Sequence, residues 1–260
     1  MSLSPKTASE ICKLIVTAIR EKLRNYNPET KHMPFHHRLL GKDRYAMFSF
    51  IHSMNTTFGM SIFEPVAVIL AKSAGNYAEK QHKLLGKIDD ETEETIRKIH
   101  HQLRKGDIDA SKICEIEQVR KTIKEAKPET DPDSTVDLFI KIKSEENYFD
   151  IISAKPNMKE FVALKLKLLR WTALRLSQDK NVEVFTRLAV PYNPYHPEPY
   201  ERWTLKGLYD LEKGEVLVGD EFWNFLAGAD IYEDLLNVFQ KAGEELRDEI
   251  NEKFEKLRGN

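Results

Sequence analysis

Two aspartates lie in strand-like runs on either side of a short polar connection. Asp137 falls in "STVDLFIKIKSEEN" (134–147) and Asp150 in "YFDIISAKPN" (148–157). Residues two apart on a strand share a face. Asp137, Phe139 and Lys141 therefore point one way, while Val136, Leu138, Ile140 and Ile142 point into a core. On the return strand Tyr148, Asp150, Ile152 and Ala154 share a face, with Phe149 and Ile151 opposite. If both aspartates occupy the same face, their carboxylates converge on one hard divalent cation. Mg²⁺ takes one or two carboxylates and keeps its other positions for water and phosphate. Such an ion orients and acidifies a water that attacks a phosphodiester. A lysine beside the second carboxylate positions that water or stabilises the developing charge.

The position two residues beyond Asp150, where that lysine is wanted, holds Ile152. Lys155 is the nearest cation. A straight strand sends it to the opposite face, but Pro156 ends the strand and a long side chain can swing back. Lys141, on the Asp137 face, is the second candidate, and outright loss of the lysine is the third. Aspartates in a hairpin are also ordinary solvated surface, and the bare geometry leaves that reading open.

The elements that must hold these residues are legible from periodicity. Residues 7–26 predict an amphipathic helix, with Ile11, Leu14, Ile15, Ala18, Ile19 and Leu23 on one face. A loop with Pro28 and Pro34 follows, dense in cations: Lys31, His32, His36, His37, Arg38, Lys42 and Arg44. Residues 45–81 predict two buried helices separated near Gly59, and residues 89–126 two surface-packed helices around "KGDIDAS". "KPETDPDST" (127–135) is read as a loop. Strands are expected at 136–143 and 148–154, joined through "SEEN", then at 182–192 and 215–218. A basic amphipathic helix is expected at 159–178, carrying Lys159, Lys165, Lys167, Arg170 and Arg175, and an acidic-basic helix at 230–258. The order predicts a single α/β domain: a mainly helical part (1–126), a mixed-sheet core (127–228) and a C-terminal helix (229–260).

At 260 residues, 32% charged and 41% hydrophobic, the chain reads as globular and able to bury a sizeable core. No apolar run is read as a membrane span, and the N-terminus lacks the pattern of a secretion signal. Cys12 and Cys114 stand in no metal-ligand spacing and are read as reduced thiols of a cytoplasmic protein. A formal charge of −2 gives no global basic signal, so nucleic-acid contact would rest on local clusters.

Three collinear stretches narrow the reading: "PFHHRLLGKDRYAMFSFIHSMNTTFGMSIFEPVA" (34–67), "VDLFIKIKSEENYFDIISAKPNMKEF" (136–161) and "VPYNPYHPEPYERW…EVLVGDEFWNFLAG" (190–228). With the acid-then-(D/E)-x-K skeleton they resemble the TdeIII/MjaII family of type II restriction endonucleases, in the PD-(D/E)XK nuclease superfamily. The resemblance implies Mg²⁺-dependent cleavage (Mn²⁺ as a substitute) of double-stranded DNA at a short palindromic GC-rich site of the GGNCC kind, in restriction–modification. It makes Asp137 and Asp150 the metal-binding acids and matches Glu64 of "SIFEPVA" to a further helical ligand. Glu64 next to Pro65 is equally suited to a helix N-terminus. Where the family's pattern expects "FDIK", this chain reads "FDII", so Ile152 leaves open a sequence-specific DNA-binding protein on a non-cleaving scaffold. A helical interaction protein is the reading from another class. For DNA, Arg187, Arg202 and Lys206 are expected at bases, Arg38, Lys42 and Arg44 at the backbone, with Asn157 and Lys159 as further contacts. A palindromic site is matched by a homodimer, with the apolar helices at 45–71 or "FWNFL" (222–226) as the candidate interface.

Overall fold

The run "VDLFIKI–KS–EENYFDI" folds as the centre of a mixed sheet. Its β-branched and aromatic residues suit a pleated surface buried on both sides. The computed structural model describes residues 2–28, 33–152, 154–200 and 203–258. Five strands, β1 (Tyr77–Leu85), β2 (Thr130–Ile142), β3 (Glu145–Ile151), β4 (Glu183–Val190) and β5 (Val216–Val218), lie in the order β1-β2-β3-β4-β5. The first two pairings are antiparallel and the last two parallel. Eleven α-helices are described: α1 (Pro5–Asn25), α2 (Pro34–Leu40), α3 (Lys42–Thr57), α4 (Glu64–Ser73), α5 (Asp90–Lys105), α6 (Lys112–Thr122), α7 (Met158–Gln178), α8 (Trp203–Leu208), α9 (Asp220–Ala227), α10 (Tyr232–Glu245) and α11 (Arg247–Arg258). This is the expected α/β fold with a mixed sheet flanked by helices.

The chain divides into two units, Met1–Leu70 with Ala229–Asn260, and Ala71–Gly228. In the first, α1 buries Ile11, Ile15, Val16, Ile19 and Leu23, and the Arg20 guanidinium meets Glu249 of α11 at 2.8 Å. Phe50 of α3 packs edge-on against both Tyr26 and Phe254.

In the second unit, one sheet face carries Asp137, Phe139, Tyr148 and Thr186 beneath α7. The Phe139 and Tyr148 rings stack at 4.7 Å, and the Thr186 hydroxyl donates to the Leu168 carbonyl of α7. The other face packs Phe149 against Phe222 and Phe225 of α9. Helix α7 starts cleanly, because Asn157 and Glu160 form a capping box. Gly86, at φ +150°, lets the chain leaving β1 pass against α7; a Cβ there would collide with the Leu174 carbonyl and Ser177 Oγ.

Several boundaries differ from the sequence reading. The expected loop around Pro34 contains α2, since proline suits the first helical position. No break occurs at Gly59: α3 continues through a π-helical turn, Phe58–Phe63, into α4. Pro65 has no N–H to give Ser61, and the wider turn routes the Glu64 N–H to the Gly59 carbonyl instead. Glu64, the first residue of α4, therefore continues the preceding turn and does not stand at a free helix N-terminus. The uninterrupted run Lys42–Ser73 is long and apolar enough to cross a bilayer by length and composition alone. The absence of such a run, expected from the sequence, is thereby corrected: scattered Ser, Thr and Asn do not lower the average enough. Core positions of this run, Phe50, Ile62, Val66 and Leu70 among them, are buried.

The end of the same apolar segment becomes edge strand β1, not helix, because Gly75 turns the chain at φ +83°. Strand β2 starts at Thr130, inside the expected loop, held by pairing of Leu85 with Thr130 across an irregular register. The hairpin closes on Lys143 and Ser144, so most of "SEEN" is strand. The C-terminal helix is two helices, broken at Leu246.

Candidate active site

Register decides the first question about the aspartates. Phe139 pairs with Tyr148 and Leu138 with Phe149, where the ladder ends; the same register carried one residue on sets Asp137 across from Asp150. Directly opposed residues of an antiparallel pair share a face, so both carboxylates lie on the α7 side of the sheet. Asp137 is half-buried; its Oδ2 accepts from the Ile151 N–H at 2.8 Å, and Gln81 Nε2 lies 3.5 Å from its Oδ1. Asp150 is buried beside Leu188 of β4. A buried carboxylate needs a partner, and Asp150 finds it in Lys167 of α7, whose ammonium lies 2.8 Å from Oδ2. The same ammonium sits 4.7 Å over the Trp171 ring, one helical turn on.

The rest of the expected set is distributed as follows. Ile152 donates its N–H to the Ala189 carbonyl, which keeps it in the sheet, and its side chain packs on the core. Lys155 lies over the Tyr195 ring at 5.1 Å, and Lys141 is 3.7 Å from Glu146. Both alternatives for the missing lysine are thus engaged elsewhere. Glu64 is buried in the first unit, whereas the two aspartates belong to the second. No group of three His, Cys, Asp or Glu side chains that could hold a metal occurs among the described residues.

The cations of α7 are not a solvated stripe. Arg175 donates to Glu146 at 2.6 Å. Burial alone would raise the Glu146 carboxyl, but hydrogen bonds from Arg175 and Tyr148 hold it below its ordinary value. Arg170 pairs with Glu93 and, at 3.2 Å, with Asp131. Lys165 is fully buried. It meets Glu215 at 2.8 Å and Glu115 at 2.7 Å, and Lys112 joins Glu215 at 3.0 Å and Thr186 at 2.7 Å. Burial lowers the Lys112 ammonium, while the two lysines outweigh burial at Glu215 and hold it low. Glu115 is raised by burial, which its lysine neighbours do not fully offset.

Among the expected DNA contacts, Arg187 requires correction. It is buried, with donors spent on Asn147 and the carbonyls of Lys213 and Gly214, and burial lowers its guanidinium. It braces the sheet and offers nothing to a base. Asn157 caps α7, while Lys159, Lys206, Arg38, Lys42 and Arg44 are exposed. Arg202 lies outside the described residues, as do Lys31 and His32. "FWNFL" is core, with Phe222, Trp223 and Leu226 buried.

Sequence reasoning gave Lys167 only a general role among the α7 cations. A usable signal was present: Phe161, Lys165, Leu168 and Thr172 share one helical stripe. That stripe turns α7 onto the sheet and brings its neighbouring cations to the aspartate face.

Over residues 4–243 the chain matches the family model of the HinfI type II restriction endonuclease. It is 25% identical over 197 residues to the type II restriction enzyme MjaII of Methanocaldococcus jannaschii, covering 70% of this chain and 51% of that protein. It is 28% identical over 111 residues to HgiCII of Herpetosiphon aurantiacus, covering 42% and 40%. The chain thus spans about half the length, or less, of these relatives. From the matched extent, nearly the whole chain, it follows that this protein belongs to the HinfI family of type II restriction endonucleases.

Proposed function

We propose that the protein is a metal-dependent restriction endonuclease of PD-(D/E)XK organisation, cutting both strands of double-stranded DNA at a short palindromic GC-rich site of the GGNCC kind. The observation that carries this reading is the opposition of Asp137 and Asp150 across β2 and β3, within a chain of a restriction-endonuclease family. Two carboxylates suit Mg²⁺, with Mn²⁺ as a substitute, because this ion leaves most of its positions to water and phosphate. Bound there, the ion would supply Lewis-acid activation of the attacking water. The chain's own residues fix the carboxylates: the Ile151 N–H orients Asp137, and α7 closes over Asp150. A homodimer matches a two-fold DNA site. The exposed Phe35 and Leu39 of α2, with Phe48 and Ile51 of α3, offer apolar surface for it.

Incubation of a plasmid carrying GGNCC sites with protein and Mg²⁺ tests the reading. Discrete fragments that vanish with EDTA and with Asp150→Asn are expected. Sequence-specific retardation without fragments, in Mg²⁺ and Mn²⁺ alike, would favour the non-cleaving DNA-binding protein, the alternative that Ile152 motivates. Sedimentation of the free protein as a monomer, and of its DNA complex at one protomer per site, would remove the dimer.

A further inference from the structure

Asp150 is paired, but not by the residue that its own strand would supply. We propose that Lys167, reaching down from α7, provides the catalytic cation of this site in place of the lysine that Ile152 replaces. The inference rests on the nuclease reading of Asp137 and Asp150.

Several observations converge on Lys167. Its ammonium touches Asp150 Oδ2 at 2.8 Å. It approaches from the α7 side, the face toward which a side chain at 152, two residues along the strand, would also point. Its site is built: the Thr172 and Thr186 hydroxyls both donate to the carbonyl of Leu168, at 3.0 and 2.9 Å, and the buried Lys165–Glu215 pair fixes the helix two residues away. The Trp171 ring confines the ammonium from the side. The competing lysines at 155 and 141 are held by Tyr195 and Glu146. An ion pair serving only to neutralise Asp150 would need no access to solvent, yet the Lys167 side chain is 33% exposed against 9% for Asp150.

In hydrolysis the water oxygen bonds to phosphorus and the bond from phosphorus to the leaving sugar oxygen breaks. The water gives one proton to solvent, and the leaving oxygen takes one from solvent. Lys167 keeps its protons throughout. It donates hydrogen bonds to the attacking water and to a non-bridging oxygen, whose negative charge grows as the new bond forms.

The test compares wild type, Lys167→Met, Ile152→Lys and the double variant, each checked for folding by circular dichroism. Cleavage of plasmid DNA and Mn²⁺ affinity of the DNA-free protein, by electron paramagnetic resonance, are both measured. Lys167→Met should cut about 10²–10³-fold more slowly and bind Mn²⁺ more tightly, because a neighbouring positive charge is gone. Ile152→Lys in that background, which also restores a partner to Asp150, should recover cleavage at least tenfold (roughly the loss of one donor reversed in part). Cleavage by Lys167→Met close to wild type overturns the proposal. So does a silent wild type that Ile152→Lys alone activates, which leaves the nuclease reading standing. If neither protein cuts and Mn²⁺ binding is indifferent to Asp137→Asn and Asp150→Asn, the nuclease reading itself fails, and this inference with it.

Discussion

Lys165 and Lys167 stand two residues apart on one helix, yet they belong to different kinds of surroundings. Lys165 is sealed among Glu215, Glu115 and Lys112, with two positive and two negative groups meeting in the core. Lys167 meets a single carboxylate at the half-open C-terminal end of the central strand β3. A closed set of charges holds elements together and leaves no valence for a ligand. A carboxylate opposed to a second carboxylate, with one cation at its rim, retains lone pairs that water or a metal ion can use. The helix thus fastens itself with one lysine and presents the other.

The largest expected effect lies on the open side. Asp137→Asn or Asp150→Asn should reduce plasmid cleavage by on the order of 10³-fold, about 4 kcal/mol in the barrier, while the far-ultraviolet spectrum stays that of the wild type. Next comes the closed side. Lys165→Met strands the buried Glu115 and leaves Glu215 to Lys112 alone, and should cost about 3–5 kcal/mol in urea denaturation; Lys167→Met, removing a partly solvated partner, should cost clearly less. Equal losses from the two changes would erase the distinction drawn between them. Asn157→Ala removes the cap of the helix that carries both lysines and should cost about 1 kcal/mol, read as a lower urea midpoint.

The smallest effect is one of pH. His100 of α5 meets the Val162 carbonyl of α7 at 2.8 Å. Burial depresses its pKa below the ordinary 6.5, against the contrary pull of that hydrogen bond, and Arg104, Lys165 and His101 push it further down. A depressed pKa means the unfolded chain takes up the proton first. The stability contributed by neutral His100 is therefore complete above pH 6.5 and is lost as pH falls through the depressed value. His100→Asn should flatten the urea midpoint between pH 7.5 and 5.

Much of this was legible in the sequence where the side-chain period was clean. The alternation in 136–142 and 148–151 placed both aspartates, and the 3.6-residue periodicity located α1, α5, α6 and α7. Strand β1 was not legible, because "EKQHK" has no apolar alternation and is a strand only through pairing with β2. The π-turn escaped because it is a response to Pro65, two residues beyond its end, and not to the residues within it. At the site, local spacing pointed to Lys155 and Lys141 as replacements for the lysine. The cation that touches Asp150 comes from another element, and proximity along the chain carries no information about that. Arg187 misled for the converse reason: its charge reads as surface, but Asn147 and two carbonyls consume it inside.

The margins of the sheet carry a consequence for handling. Strand β1, at one edge, bears Glu79, Lys80 and Lys83 and bends through Gln81 at φ 53°; β5, at the other, is three residues long. Charged or abbreviated rims are poor templates for a foreign strand. Concentrated preparations should therefore resist fibrillar growth, and any precipitate should form without a rise in thioflavin fluorescence.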